Sequence, residues 1–328
     1  MAIEDSRQML TEGIKTVNLN NRIINYDFIK GISIMFVILH HVLMRYAVLP
    51  THTVFTIKNA VPLFIIVTIL LRYRKLEHCD LSQYFHSIKK ELFNIFLPFL
   101  IAETLLILFL RPNPISELKS FGSGWGSYYP LIHTQVIIFT PLVFNILKKN
   151  FIRGSIVILM FCIVSEIFFS WLNIPVWLYR LSFTRYCFLY VIAYLVFRKE
   201  LLVKYKLQII ILTVLGAIFI YYHCYHNINA FFYPGWIGSK FPRDFISLVW
   251  FIGLYELCNY TPTKIRNLIV YIGKHSYDVF IIQMMFFCFL LPINNLPLAI
   301  ISSFTIIFAC SYPWGILMKK IKIFVRLK

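Results

Sequence analysis

Long apolar runs separated by short polar segments make up almost the whole hydropathy pattern of this chain. Ten of them are candidate membrane helices, because a helix needs about 20 mainly apolar residues to cross a bilayer, although several runs are shorter. They cover residues 28–46, 59–72, 92–110, 128–147, 154–171, 184–197, 207–223, 243–258, 277–292 and 297–318. The pattern predicts an all-α, polytopic integral membrane protein with about ten transmembrane helices.

Composition excludes an ordinary soluble domain. Of the 328 residues, 59% are hydrophobic, 18% aromatic and only 14% charged, and the mean hydropathy is +0.73. Such values are typical of membrane proteins. The first 26 residues are polar and lack the apolar core of a cleaved signal peptide. We therefore expect a cytoplasmic tail over 1–26, a membrane domain over 27–318 and a basic cytoplasmic tail over 319–328.

The net charge of +18 reflects topology, and nucleic acid is not an expected partner. With a cytoplasmic N-terminus, most Lys and Arg residues fall on the inner side, as the positive-inside rule requires. The exceptions, at the outer side, are Arg45, Lys58, Arg111, Lys119, Arg180, Arg185, Lys240 and Arg243. The charge pattern thus predicts a multi-pass protein of the cell membrane with both termini in the cytoplasm.

The seven cysteines are scattered along the chain. None forms a CxxC pair or a Cys/His cluster with the spacing of metal ligands. We therefore expect neither a disulfide framework nor a metal site.

The first apolar run carries ionisable residues that are unusual in a membrane helix. Asp27 and Lys30 lie at its start, and His40 and His41 lie inside it. Eleven helical steps from Lys30 to His41 cover roughly 16 Å, about half of a ~30 Å hydrocarbon core. A histidine at that depth usually faces a bundle interior or a wet cavity, which makes it a functional candidate. Alternatively, the histidine only bonds a neighbouring helix, Lys30 anchors the interface and Asp27 caps the helix.

Other candidate residues lie at the two membrane faces. The inner loop 73–91 contains Lys89 and Lys90, which could bind phosphates or simply signal topology. The outer loop before the fourth span contains three closely spaced glycines with Trp125 and Tyr129. These aromatic residues could stack on sugars or form an interfacial belt.

Polar residues also begin the fourth and sixth spans at the predicted outer side. We expect His133 and Gln135 about one turn inside the outer surface, near the depth of His41. Arg180 and Arg185 could extend to the interface or orient an acceptor. The remaining intramembrane acids are Glu103, Glu166 and Glu256.

Several of these motifs together resemble the membrane-bound acyltransferase 3 family. The family's first-helix signature is an acidic residue, a base, ten residues and then a histidine. Asp27, Lys30 and His41 are similar to this signature, with Lys30 in place of the usual Arg. Further resemblances are the VPLF segment at 61–64, the YYP segment before Gln135, Arg185 before Tyr186, and the GKxSY segment at 273–277. Departures are Val67-Thr68 for Ser-Gly, Asn94 for Arg and Gln283 for His.

The resemblance implies an O-acetyltransferase that moves an acyl group from acetyl-CoA to a hydroxyl of a cell-surface or lipid-linked polysaccharide. It implies catalytic roles for His41, Lys30 and Asp27. We expect the carbohydrate acceptor to contact Tyr129, Gln135, Arg185 and Trp125, and the acyl-CoA donor to contact Lys30, Lys89 and Lys90. The alternatives are a transporter or flippase of glycan intermediates, with His41 and buried glutamates as proton carriers, and an inactive scaffold.

Overall fold

The computed structural model describes residues 23–46, 53, 55–110, 126–174, 178–179, 181–225, 241–289 and 295–326. Within these ranges the chain forms twelve α-helices. They are α1 (Ile24–Arg45), α2 (Ala60–His78), α3 (Leu81–Leu110), α4 (Tyr129–Lys149), α5 (Phe151–Trp171), α6 (Leu189–Phe197), α7 (Lys199–Lys204), α8 (Lys206–Tyr225), α9 (Phe241–Tyr260), α10 (Thr263–Lys274), α11 (Ser276–Phe286) and α12 (Leu296–Arg326). The predicted all-α class is confirmed.

Five of these helices, α1, α3, α4, α5 and α12, are long and apolar enough to cross a membrane. Shorter apolar helical segments cover Phe183–Phe197, Lys206–Tyr222 and Ser276–Phe286. Each of the ten predicted spans coincides largely with a helix. The molecule is therefore an all-helical protein of the polytopic membrane class.

The predicted inner loop 73–91 is mostly helical. Helix α2 continues to His78 and α3 begins at Leu81, so only Cys79 and Asp80 separate the two helices. Hydropathy marks where apolar side chains stop, whereas backbone hydrogen bonding continues through the charged residues that follow. The two helices therefore extend into the predicted inner connection, and the side of the membrane on which it lies stays a prediction.

A second departure is α10, which lies in a predicted inner connection between two spans. It packs against α1 at glycines. A Cβ atom on Gly31 would collide with the carbonyl oxygen of Ile269, and a Cβ atom on Gly273 would collide with that of Asp27. Such small residues allow two helix backbones to approach closely. The contact fixes the N-terminal half of α1, including the region of Asp27 and Lys30.

Helix α1 contributes to two hydrophobic cores. Tyr26 and Ile29 belong to a core formed mainly by α2, α4, α6 and α9. Ile34, Ile38 and Val42 belong to a second core with α3, α11 and α12. Because α1 lies in both cores, it is the helix about which the two halves of the bundle are arranged.

Candidate active site

A cavity of about 280 Å³ opens beside α1 and is bounded by α2, α3, α4 and the α10–α11 region. Four α1 residues line it, namely Lys30, Ile34, Val37 and His41. Their spacing of four, three and four residues places them on one stripe of the helix. The cavity therefore extends along α1 from Lys30, near the N-terminus of the helix, to His41.

Three cations line the cavity, namely Lys30, Arg72 and Lys274. The Nζ atom of Lys30 lies 2.7 Å from Oδ1 of Asp27, whose side chain is only 3% exposed, whereas that of Lys30 is 21% exposed. Asp27 thus holds the ammonium group in place from the protein side. Lys30 retains access to the cavity, as a contact with an anionic ligand would require.

A chain of polar contacts crosses the cavity wall between α2, α3 and α4. Arg72 donates to the Glu91 carboxylate, and the other oxygen of Glu91 lies 3.5 Å from Nε2 of His133. The Nδ1 atom of His133 is in turn 3.5 Å from the Tyr129 hydroxyl. All four residues line the cavity. They form a fixed polar wall facing the α1 stripe.

The contact between Glu91 and His133 bears on the predicted depths of both residues. The residue was expected about one turn inside the outer surface, but it contacts Glu91, which precedes the third span at its predicted inner end. That span is 19 residues long, so its two ends are roughly 28 Å apart. The two expected depths are therefore incompatible with this contact, although His133 shares the cavity with His41, near whose depth it was expected.

The two adjacent histidines face different surroundings. His41 lines the cavity, and its ring centroid is 5.4 Å from that of Phe287. His40 is absent from the cavity lining, and its ring is inclined by 82° to that of His41. Neighbouring residues on a helix diverge by about 100°, so only one of the pair can face the cavity.

Aromatic residues close the middle of the cavity. The Tyr129 ring lies 5.3 Å from Phe280, and the Tyr277 hydroxyl donates to the Ile95 carbonyl oxygen. Gly126 has a φ of +96°, and a Cβ atom there would lie 3.3 Å from Phe280. Glycine suits this position because it tolerates the left-handed backbone and leaves room for the ring. Trp125, the other predicted stacking residue, lies outside the described residues.

Three other predicted ligand contacts are not among the cavity-lining residues. Gln135 donates to the Leu181 carbonyl oxygen and accepts from the Phe183 amide, both at 2.8 Å. Lys89 and Lys90 are exposed on α3. Direct ligand contacts of these residues remain predictions, whereas Gln135 has an observed role in holding the segment before α6.

Arg185 is also absent from the lining. Its guanidinium carbon lies 5.3 Å from the centre of the Tyr179 ring and 5.9 Å from that of Tyr186. Arg180 falls outside the described residues.

The intramembrane acids occupy three different environments. Glu166 is buried and accepts a 2.8 Å hydrogen bond from Tyr179, and Glu103 is buried on α3. Glu256 lies beside a separate cavity of about 750 Å³. None of the three is among the residues lining the His41 cavity.

Sequence reasoning singled out His41, Lys30 and Tyr129, placed Arg72 only among the basic residues of the inner connection, and missed Glu91 as a cavity residue. A family model for an acyltransferase domain, Acyl_transf_3, matches residues 23–319. The chain belongs to the acyltransferase 3 family. No curated protein and no solved structure matches it.

Family membership confirms that this acyltransferase is an enzyme of the transferase class. The match covers all twelve described helices except the end of α12. Every described residue of the His41 cavity lies within the matched range. The transferase assignment therefore applies to the domain that contains this cavity, and it favours an enzyme over a transporter.

Proposed function

We propose that this membrane acyltransferase moves an acetyl group from acetyl-CoA to a hydroxyl of a cell-surface or lipid-linked polysaccharide. In this proposal ten helices span the cell membrane and both termini are cytoplasmic. The observation that carries it is the single stripe of α1, which brings Lys30 and His41 into one cavity. A phosphate-bearing donor and a hydroxyl acceptor could approach that cavity from opposite ends.

The inner end of the cavity suits an acyl-CoA. Lys30, Arg72 and Lys274 supply three cations there, and Lys and Arg are the usual protein partners of phosphate. A volume of about 280 Å³ is at the lower limit of small-molecule pockets, which range from about 300 to 1,000 Å³. It suits the acyl-bearing arm and a hydroxyl, so the nucleotide would lie outside it, where exposed Lys89 and Lys90 remain proposed contacts.

His41 is the proposed general base. A neutral imidazole accepts the proton of the acceptor hydroxyl while the hydroxyl oxygen forms a bond to the acyl carbon. The carbon–sulfur bond then breaks, the sulfur leaves as a thiolate, and the proton on His41 returns to solvent or to the thiolate. Alternatively, the histidine nitrogen itself carries the acyl group between donor and acceptor. Asp27 supports either route only by holding Lys30 in place.

The proposed acceptor contacts combine stacking and positioning. Tyr129 presents an aromatic face to the cavity, and Trp125 is proposed to extend this platform. Gln135 acts through the backbone of residues 181 and 183, which fixes the segment that carries Arg185. Carbohydrate recognition by flat aromatic faces and a few polar groups is consistent with this set.

The test has a cellular arm and a purified arm. The O-acetyl content of the surface glycan is measured with and without the gene, and radiolabel transfer from acetyl-CoA to that glycan is measured with the full chain in nanodiscs. We expect O-acetylation to be lost without the gene and label to appear on the glycan. Unchanged glycan O-acetylation, or transfer only from a longer acyl-CoA, would contradict the proposal.

A further inference from the structure

A second group of cations lies near His40, which is not among the residues lining the His41 cavity. Lys58 lies in the 3-10 turn Ile57–Asn59 before α2, Arg185 lies in the 3-10 turn Phe183–Tyr186, and Arg243 lies in the first turn of α9. None of the three lines the His41 cavity. We call this set the outer cation cluster, because the charge pattern assigns all three residues to the outer side of the membrane.

Contacts between neighbouring residues bring the cluster together. The Ser247 hydroxyl donates to Oδ1 of Asn59 at 2.8 Å, which joins the turn carrying Lys58 to α9 one helical turn from Arg243. The ring of Phe188 lies 5.4 Å from that of Phe245, which places the segment of Arg185 beside the start of α9. The three cations therefore come from three segments that are distant in sequence and that pack together near the start of α9.

Two guanidinium groups of the cluster have unsatisfied hydrogen-bond donors within the described part of the chain. Arg243 interacts electrostatically with the buried carboxylate of Asp244, but also with Arg185. The Nε atoms of Arg185 and Arg243 are buried, and neither has a hydrogen-bond partner within the described part of the chain. A buried guanidinium donor without a partner is costly, and an anionic ligand would satisfy it.

Position connects this cluster to the transfer reaction. Tyr128 lies within electrostatic range of Arg243 and also lines the His41 cavity. A group bound at the outer cation cluster would thus be adjacent to the cavity in which the acceptor hydroxyl reacts. A lipid headgroup offers the same chemistry, but Tyr128 links the cluster directly to the reaction cavity.

We propose that the outer cation cluster binds a carboxylate or phosphate carried by the acceptor, so that the enzyme acts on an acidic glycan. This proposal rests on the proposed function and deepens it by naming the acceptor class. The cluster binds the anion, while the neighbouring cavity presents the hydroxyl to His41. Specificity for acidic over neutral acceptors then follows from charges that lie outside the reaction cavity.

The binding test uses inorganic phosphate as the probe and the full chain in neutral detergent. Thermal unfolding is followed over a phosphate titration at constant ionic strength. For the wild type we expect a saturable stabilisation, and in Lys58→Gln and Arg243→Gln an apparent dissociation constant at least about tenfold weaker, since each variant loses a charged contact. Arg243→Lys, which keeps the charge, should retain most of the effect.

Arg45→Gln is the matched control, because it also removes one cation from the outer side but not from the cluster. It should bind phosphate as the wild type does. The anion site would be overturned if phosphate did not stabilise the wild type. It would also be overturned if the stabilisation survived fully in both Lys58→Gln and Arg243→Gln.

Two further arms identify the source of the anion. The phosphate effect is compared between nanodiscs of phosphatidylcholine alone and nanodiscs that also contain phosphatidylglycerol. Loss of the effect only with phosphatidylglycerol would assign the site to a lipid headgroup and overturn the acceptor assignment. Acetyl transfer is then compared between an acidic glycan and its carboxyl-reduced form. The acidic form should have the lower KM, and Lys58→Gln should remove the difference. Equal KM values in the wild type would overturn the proposal, whereas absence of transfer to either form with phosphate binding intact would contradict only the proposed function.

Discussion

At the residue scale, the adjacent histidines His40 and His41 show how strongly one step along a helix changes a side chain's surroundings. His41 shares a cavity with Lys30, and His40 faces away from it. Their difference in orientation follows from helix geometry alone, because a step of one residue turns the side chain by about 100°. The first prediction uses this contrast. The second uses the ion pair between Lys30 and Asp27 at the other end of the same stripe.

We expect His41→Ala to lower kcat by ~10² to 10⁴-fold, because it removes the proposed general base. The protein should still insert and bind acyl-CoA, since the inner cations are unchanged. His40→Ala should have a much smaller effect. The measurement is acetyl transfer at matched protein levels, with CoA binding in detergent; an active His41→Ala variant would sink the assignment.

For Lys30, charge and geometry make separable contributions. Lys30→Arg should retain or improve activity, because a guanidinium group adds donors for a phosphate while still pairing with Asp27. Lys30→Ala should mainly raise the KM for the acyl donor. Steady-state kinetics against acetyl-CoA distinguish these outcomes, and full activity of Lys30→Ala would reduce the residue to an interfacial anchor.

The Arg72–Glu91 pair allows a test of coupling within the cavity wall. Removing either charge leaves the other side chain partly buried and without its ion-pair partner. This loss should cost about 1–3 kcal/mol of unfolding free energy. Arg72→Gln combined with Glu91→Gln should cost less than the sum of the single changes, by about 0.5–3 kcal/mol, as expected for residues in contact. Strictly additive losses in thermal unfolding would show that the two side chains do not interact.

At the element scale, the contact of α1 with α10 determines where the Lys30 end of the site lies. Gly31 and Gly273 meet the opposite backbone so closely that any side chain would push the two helices apart. Lys30 and Lys274 flank these glycines in sequence. A shift of either helix would therefore separate two of the three cations at the proposed donor end.

Gly31→Ala should accordingly destabilise the protein by about 1–3 kcal/mol, the usual cost of overpacking. It should also raise the KM for acetyl-CoA, because Lys30 would move with the backbone. The matched control is Gly253→Ala in α9, where an added Cβ atom meets nothing within 4 Å. This change should be neutral or slightly stabilising, since Ala favours helix more than Gly does. Equal melting temperatures for the two variants would contradict the close α1–α10 contact.

At the scale of the whole molecule, the site requires a donor side and an acceptor side. The proposed orientation puts the cations Lys30, Arg72 and Lys274 towards the cytoplasm, where acyl-CoA is available. Cysteine labelling can test this orientation in a variant without native cysteines. A membrane-impermeant reagent applied to sealed cells should modify Ser120→Cys in the loop 111–127 and Ser239→Cys in the loop 224–242.

Gln83→Cys provides the inner counterpart, because Gln83 is exposed near the start of α3. It should react only after the cells are opened. Labelling of Gln83→Cys in sealed cells would reverse the orientation and place the donor cations on the outer side.

The sequence by itself determined the helical class, the order of the apolar segments and the position of Lys30 and His41 on one side of α1. Apolar runs of sufficient length leave a membrane segment few options besides helix, since its backbone groups must bond to each other. Once α1 is helical, the spacing of Lys30 and His41 places both on one stripe. That inference needs no knowledge of neighbouring helices, and the structure brings both residues into one cavity.

Only the tertiary structure decided which residues complete the site. Arg72, Glu91 and His133 lie on three helices, and no periodicity in the sequence links them. The same holds for α10, whose contact with α1 depends on two glycines more than 240 positions apart in the chain. Hydropathy reports the preference of each segment for lipid or water. The choice of helix partners depends instead on close packing and on hydrogen bonds between side chains far apart in sequence, which a hydropathy pattern does not encode.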